Sequence, residues 1–423
     1  MIILKNATYI DWQSLEFSKT SILVNKGIDN NISFISNSEI ENYKNVETID
    51  CSGKLVTKSF GVGHHHVYSS LSRGMGAPKK NPQNFQEILK YVWWTLDKCL
   101  DQEMIEYSAL TTAIACAKAG STFAIDHHAS PFAVEGSLEI IANAFEKIGV
   151  SHLLCYEISD RDGMNITNKG LKETESYLKN KQALVGLHAS FTVGNNTLEN
   201  AVTLMNNYNS GIHIHVAEDL SDQAHCLKTY GKRVINRLHK FGVLNSSKTI
   251  LGHCIHLDHC EIELIKNSNS WVVQNMESNL NNKVGHFSGT GLGNNIMLGT
   301  DGMHSDMLQS AKFAFFAAQI NDKINYDSTY KRFRNIHHYL KLNNFKGDGD
   351  NNLVVLDYAS PTPLNMDNFY GHFLFGFNSA IITDVISDGK LIVKNRIIQT
   401  VDENQVVRKA QEIATKLWKK MAQ

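Results

Sequence analysis

Short apolar runs recur through the middle of the chain, and each stops at a cluster of polar residues. Eight are readable, at 59–66, 121–128, 151–158, 183–189, 211–217, 249–254, 270–275 and 295–301. Their β-type composition and short length predict buried strands. The intervals carry helical periodicity, as at 85–100, 136–148, 198–208 and 232–240. Strand and helix alternating eight times predicts an α/β fold, a parallel TIM-like (β/α)8 barrel over residues 58–350. A doubly wound open sheet competes with it. Such a sheet does not require polar clusters at the carboxyl end of every strand, whereas a barrel places its chemistry there.

The flanks have a different pattern. Strand-length runs at 2–4, 21–24, 32–35 and 48–51 are broken by Gly27, the Asp29-Asn30-Asn31 cluster and Gly53. Similar runs return at 353–357, 380–385 and 391–393. An amphipathic helix over about 403–420 follows, apolar at Val406, Ala410, Ile413, Leu417 and Met421. Matching β character at both ends predicts one small β-sandwich domain built from residues 1–57 and 351–423.

Composition narrows the class. With 423 residues the chain exceeds one ordinary domain but suits a barrel plus a smaller partner. A formal net charge of −1 gives no electrostatic footprint for nucleic acid or an anionic membrane. Seven cysteines, an odd number without framework spacing, read as free thiols among apolar neighbours. No run of about 18 apolar residues occurs, so no membrane span is expected, and the N-terminal residues lack the pattern of a signal peptide. These readings predict a cytoplasmic protein acting on a small molecule, with homo-oligomerisation left open.

The polar clusters carry the candidate chemistry. His64 and His66 are two apart and share one side of a strand. His215 ends the fifth run and Asp301 the eighth. Three imidazoles and a carboxylate suit one divalent ion, zinc first and ferrous iron second. His65 should face away, and His213, deeper on the side of His215, should support a ligand. No lysine closes the fourth run, which argues against a bridged pair of ions. Glu218, three residues after His215, is expected to shuttle protons. Asp301 is expected to accept a proton from water, and His253 to steer the nucleophile. His188, Arg73, His127, Asn279 and His304 are candidate substrate contacts, with Ser278 beside them. Asp126 and His128 flank His127 in the cluster that closes the second run. Trp93 and Trp94 are adjacent on a predicted helix, so at least one is expected in the core.

These residues resemble the amidohydrolase superfamily, in its cytosine deaminase-like and chlorohydrolase-like branch and, within it, the aminohydrolase SsnA group. The stretches that carry the resemblance are 68–74, 125–131, 213–220, 278–282 and 298–302. The resemblance implies a barrel with a composite β domain and one metal on His64, His66, His215 and Asp301, with His188, Glu218 and His253 serving the reaction. It departs from the pattern at two places. Lys58-Ser59 stands where a Pro-Gly turn usually enters the first barrel strand, and 348–352 replaces a Gly-x-x-Ala-Asp lead-in after a shortened helical region. The expected activity is hydrolytic deamination of an amidine-type carbon in a purine-, pyrimidine- or cyclic ureide-like ring. Displacement of chloride or alkylamine from a triazine-like ring and an inactive scaffold are the alternatives.

Overall fold

Eight short parallel strands run around one axis in the computed structural model, which describes residues 1–27 and 32–423. They are β1 (Phe60–His65), β2 (Ser121–His128), β3 (Ser151–Tyr156), β4 (Val185–Ala189), β5 (Ile212–Val216), β6 (Ile250–His253), β7 (Trp271–Gln274) and β8 (Ile296–Leu298). Strands β1 to β3 form one arc and β4 to β8 another. Single bridges Leu154–Ala183 and Ile158–Leu187 join β3 to β4, and His65–Asp301 joins β1 to the residues after β8. The ring is thereby closed. Every residue of β2 is buried, because helices cover the outside and side chains fill the inside.

The β8–β1 closure sets the site. The backbone N–H groups of Thr300 and Asp301 both donate to His64 O, at 3.0 and 3.1 Å. Two glycines permit this approach. A Cβ on Gly63 would stand 2.6 Å from Leu298 O, and one on Gly299 would stand 2.3 Å from Asn275 Oδ1 and 2.9 Å from His64 Cβ. Strand eight was expected over 295–301. Regular pairing instead ends at Leu298, and Asp301 takes a left-handed backbone (φ 53°) that turns its carboxylate inward.

Strands from both ends of the chain meet in one sheet. Its order is Ile397–Ile398, Lys390–Lys394, Ile382–Ser387, Leu353–Leu356, Leu55–Lys58, Ile2–Ile10, Phe17–Val24 and Ile32–Ile35, with Glu47–Asp50 also paired to Ile2–Ile10. The central seam is antiparallel, Leu55 opposite Leu356 and Lys58 opposite Leu353. Ile2, Leu4, Ile22, Val56, Val355 and Ile386 share one buried cluster, so the two ends are held by packing as well as by hydrogen bonds. The Asp29-Asn30-Asn31 break lies outside the described residues. The terminal helix Glu403–Ala422 buries Val406, Ala410, Ile413 and Leu417. It lies against the helix Gln102–Lys118 of the barrel wall, and Trp418 Nε1 donates to Leu71 O at 2.8 Å. Among the described residues, no helix is long and apolar enough to cross a membrane.

The two departures from the family pattern face each other at the seam. Lys58 Nζ stands 3.0 Å from Asp348 Oδ1 and also donates to the carbonyl oxygens of Asp348 and Gly349 at 3.2 and 3.0 Å. Ser59 N donates to Asn352 O at 2.9 Å. On its other oxygen Asp348 accepts from His337 Nδ1 at 2.8 Å. Burial pushes the Asp348 carboxyl up, but His337 and Lys58 outweigh it and hold the group down at about 2.

Candidate metal centre and active site

The rings of His64, His66 and His215 gather beside Asp301 at the barrel's carboxyl end, their centroids 4.8, 5.2 and 5.1 Å apart in pairs. His66 Nε2 is 3.1 Å from His215 Nε2 and 3.2 Å from Asp301 Oδ1, and His64 Nε2 is 3.8 Å from the same oxygen. The opposite ring nitrogens are all engaged. His66 Nδ1 donates to His127 O at 2.7 Å and His215 Nδ1 donates to His188 O at 2.9 Å. His64 Nδ1 is 2.9 Å from His213 Nε2, so His213 supports a ring, as its depth in β5 predicts. With Nδ1 carrying the proton, each Nε2 has a free lone pair.

This donor set fits a divalent metal ion. His64 Nε2 is buried and, among the described residues, has no hydrogen-bond partner. Burial, followed by the neighbouring imidazoles, holds His64 and His215 well below the usual histidine range, so both rings are neutral and able to ligate. Burial lowers His66 too, against the pull of Asp301. Burial raises the Asp301 carboxyl, but His66 and His253 more than offset this and keep it ionised. Neutral nitrogens and one carboxylate are the state that metal binding requires.

Beside this centre stand the candidate acid–base groups. His253 Nε2 is 3.5 Å from Glu218 Oε2 and 3.8 Å from Asp301 Oδ2. Burial pushes the Glu218 carboxyl up to about 7, with His253 opposing and Asp301 adding to the rise. At neutral pH it is therefore poised between donor and acceptor. The backbone here is strained, with φ of 45° at Ala217 and 66° at His253. Asp222 steadies the first turn by accepting from Ala217 N at 2.9 Å, and Asn279 Oδ1 holds His253 Nδ1 at 2.8 Å.

A cavity opens onto these groups, with His188, Glu157, Ser278 and Asn282 around it and an apolar wall of Phe85, Leu89, Trp93 and Trp94. Both tryptophans line it, where at least one was expected in the core. The predicted helix 85–100 is interrupted by a π-helical turn at Leu89–Trp93, whose i→i+5 bonding turns the chain less per residue and sets successive side chains closer in direction. Trp93 packs against the core as well. Arg161 lies over the Trp94 ring at 5.2 Å and pairs with Asp97 and Asp162, which fixes that wall from behind.

The other candidates are placed differently. His65 faces away, 3.0 Å from Ser305 Oγ. Asp126 Oδ1 accepts from Val67 N at 2.8 Å and shapes the turn after His66, while His128 bonds to Ser130. His127 lies beneath the centre, its Nε2 donating to Leu187 O and His213 O. Asn279 is fully buried under His253 and does not line the cavity. His304 is turned to Glu277 at 2.5 Å, and Arg73 is exposed; neither lines the cavity. Sequence reasoning does not find Glu157: it directly follows β3, at a strand end like the other groups, but the run predicted over 151–158 extends past it.

The amidohydrolase family model matches residues 63–333, a span that runs from the His64/His66 pair past Asp301. The chain belongs to the amidohydrolase family. It is 27% identical over 444 residues to the 5'-deoxyadenosine deaminase of Methanococcus maripaludis, covering 99% of this chain and all of that relative. Two solved structures of this fold superpose along nearly the whole chain. An adenosine deaminase from Xanthomonas campestris with bound zinc has a TM-score of 0.81 at 16% identity, covering 98% of each chain. The zinc complex of the atrazine chlorohydrolase TrzN from Arthrobacter aurescens has a TM-score of 0.81 at 14% identity, covering 98% of this chain and 100% of that one.

Proposed function

We propose that this amidohydrolase is a hydrolytic deaminase that releases ammonia from an amino-substituted carbon of a nitrogen heterocycle, with zinc as its native ion. The observation that carries the reading is Glu218. A carboxyl held at about 7, 3.5 Å from His253 and facing the same cavity as the ligand set, is a proton donor suited to an amine. A chloride leaving group could use a proton on the ring nitrogen but needs none on itself, whereas an amine needs both. The named deaminase among the relatives supports the same assignment.

A divalent ion held by His64, His66, His215 and Asp301 would supply the Lewis acidity that makes water nucleophilic near neutral pH. The remaining work falls to side chains. Asp301 takes a proton from the attacking water as its oxygen bonds to the ring carbon, while protonated Glu218 gives its proton to the adjacent ring nitrogen. The Glu218 carboxylate then removes the proton of the new hydroxyl and passes it to the amino group. The C–N bond breaks, and ammonia and a ring carbonyl result. Asp301 returns its proton to Glu218 through His253 Nε2, which lies 3.5 and 3.8 Å from the two carboxylates. The apolar wall of Trp93 and Trp94 keeps bulk water from the ring.

Ammonia release by the zinc- and iron-loaded protein, measured across purines, pyrimidines, cyclic ureides and guanidino acids, tests the assignment. Release should fall by about 10²- to 10⁴-fold in Glu218→Gln with metal content unchanged. Halide or alkylamine release without ammonia would overturn it, as would turnover indifferent to that substitution.

A further inference from the structure

Glu157 is a carboxylate on the wall of a catalytic cavity that the mechanism above does not use. It follows β3, its side chain is only 3% exposed, and it lines the cavity together with Glu218. His127 Nδ1 lies 3.2 Å from its Oε2. Burial raises its pKa, but His188, His127 and Arg161 outweigh this and hold it far below the usual carboxylate range.

With His188 and His215 it forms a cluster whose ligand atoms all lie within 4.8 Å of one another. A second metal ion is not what the cluster offers. His215 has one ring nitrogen on His188 O and the other beside His66 Nε2, so none is left for another ion. His188, whose Nδ1 bonds Thr192 Oγ1 at 2.7 Å, and Glu157 therefore make a polar wall within a ring's width of the metal centre.

We propose that Glu157 determines specificity by accepting hydrogen bonds from a second, exocyclic amino group on the substrate edge away from the scissile carbon. The inference rests on the deaminase reading and narrows its substrate to donor-bearing rings, such as diamino-substituted purines or pyrimidines. A carboxylate can only accept, so a ring that turns a lone-pair edge to it sets acceptor against acceptor in a buried site. Unsubstituted adenine rings are disfavoured on that ground.

Binding to zinc-loaded Glu218→Gln, which should hold rings without turning them over, tests the proposal by calorimetry. The probes are two matched pairs that each differ by one amino group: 2,6-diaminopurine against adenine, and 2,4-diaminopyrimidine against 4-aminopyrimidine. The diamino member should bind at least about tenfold tighter in each pair, and adding Glu157→Gln should erase the difference. Equal affinities within both pairs, or no measurable binding of any probe, would overturn the inference. So would a preference that survives Glu157→Gln. If that second variant fails to fold, the pairs on Glu218→Gln alone still decide. Should wild-type protein release no ammonia from the diamino rings while the preference stands, the deaminase reading fails and the recognition site does not.

Discussion

Lys58 Nζ and Asp348 Oδ1 are 3.0 Å apart although 290 residues separate them, and both side chains are buried. The pair ties the entry of the first barrel strand to the lead-in of the C-terminal strands at the junction of barrel and sheet. Removing one partner strands a buried charge, which costs about 3–5 kcal/mol, whereas removing both does not. Lys58→Met should therefore lower the urea stability by that order, and Lys58→Met/Asp348→Asn should recover most of it. Purely additive losses in the double-mutant cycle would show that the pair is not coupled.

The same cluster predicts an acid-sensitive contribution. Asp348 is held at about 2 in the fold, against 3.8 as its ordinary value, and buried His337 at about 4, against 6.5. Both folded pKa values are depressed, so in each case the unfolded chain takes up the proton first. The His337 contribution is present above 6.5 and is lost as pH falls towards about 4. The Asp348 contribution is present above 3.8 and is lost towards about 2. Other buried carboxyls, such as Asp97 and Asp222, are raised to about 7 and act in the opposite sense. Subtraction isolates the cluster: the stability gap between wild type and Asp348→Asn should narrow below pH 4. A gap constant from pH 7 to 3 would contradict it.

His213 does not line the cavity, yet its Nε2 is the partner of His64 Nδ1 at 2.9 Å. Removing such a support costs about 10- to 100-fold in metal affinity. His213→Ala should show that loss in chelator competition at pH 7, and His213→Gln, which keeps a polar group in reach, should lose less. Metal affinity unchanged in both variants would remove His213 from the centre's support.

Much of this architecture is legible in the chain because barrels repeat one rule, a buried strand ending in polar groups. His64, His66, His215, Glu218, His253 and Asp301 all sit at such ends, and the structure brings all six to one cavity or its immediate edge. Periodicity does not disclose backbone that leaves its regular form. The π-helical turn at Leu89–Trp93 put both tryptophans on the cavity, and the left-handed residues at Ala217, His253 and Asp301 aimed side chains that an extended strand would misdirect. Arg73 and His304 are near other site residues in sequence. Nearness does not fix direction: one faces solvent and the other is taken by Glu277. The contact between Lys58 and Asp348 has no local signal at all, since it exists only once the chain's two ends are paired.

Asn279 separates a contact from a support. Its position after β7 suggested a substrate contact, but it is fully buried and its Oδ1 lies 2.8 Å from His253 Nδ1. That bond fixes the His253 tautomer and directs Nε2 at Glu218 and Asp301. If His253 acts in the transition state as proposed, losing that bond loosens it without removing anything the bound ring touches. Asn279→Ala should therefore lower kcat by about tenfold or more and leave KM nearly unchanged, with metal content intact. Asn279→Asp, which keeps the acceptor, should retain more activity than alanine. A rise in KM at constant kcat would instead make Asn279 a substrate ligand and leave the orientation of His253 to its strained backbone alone.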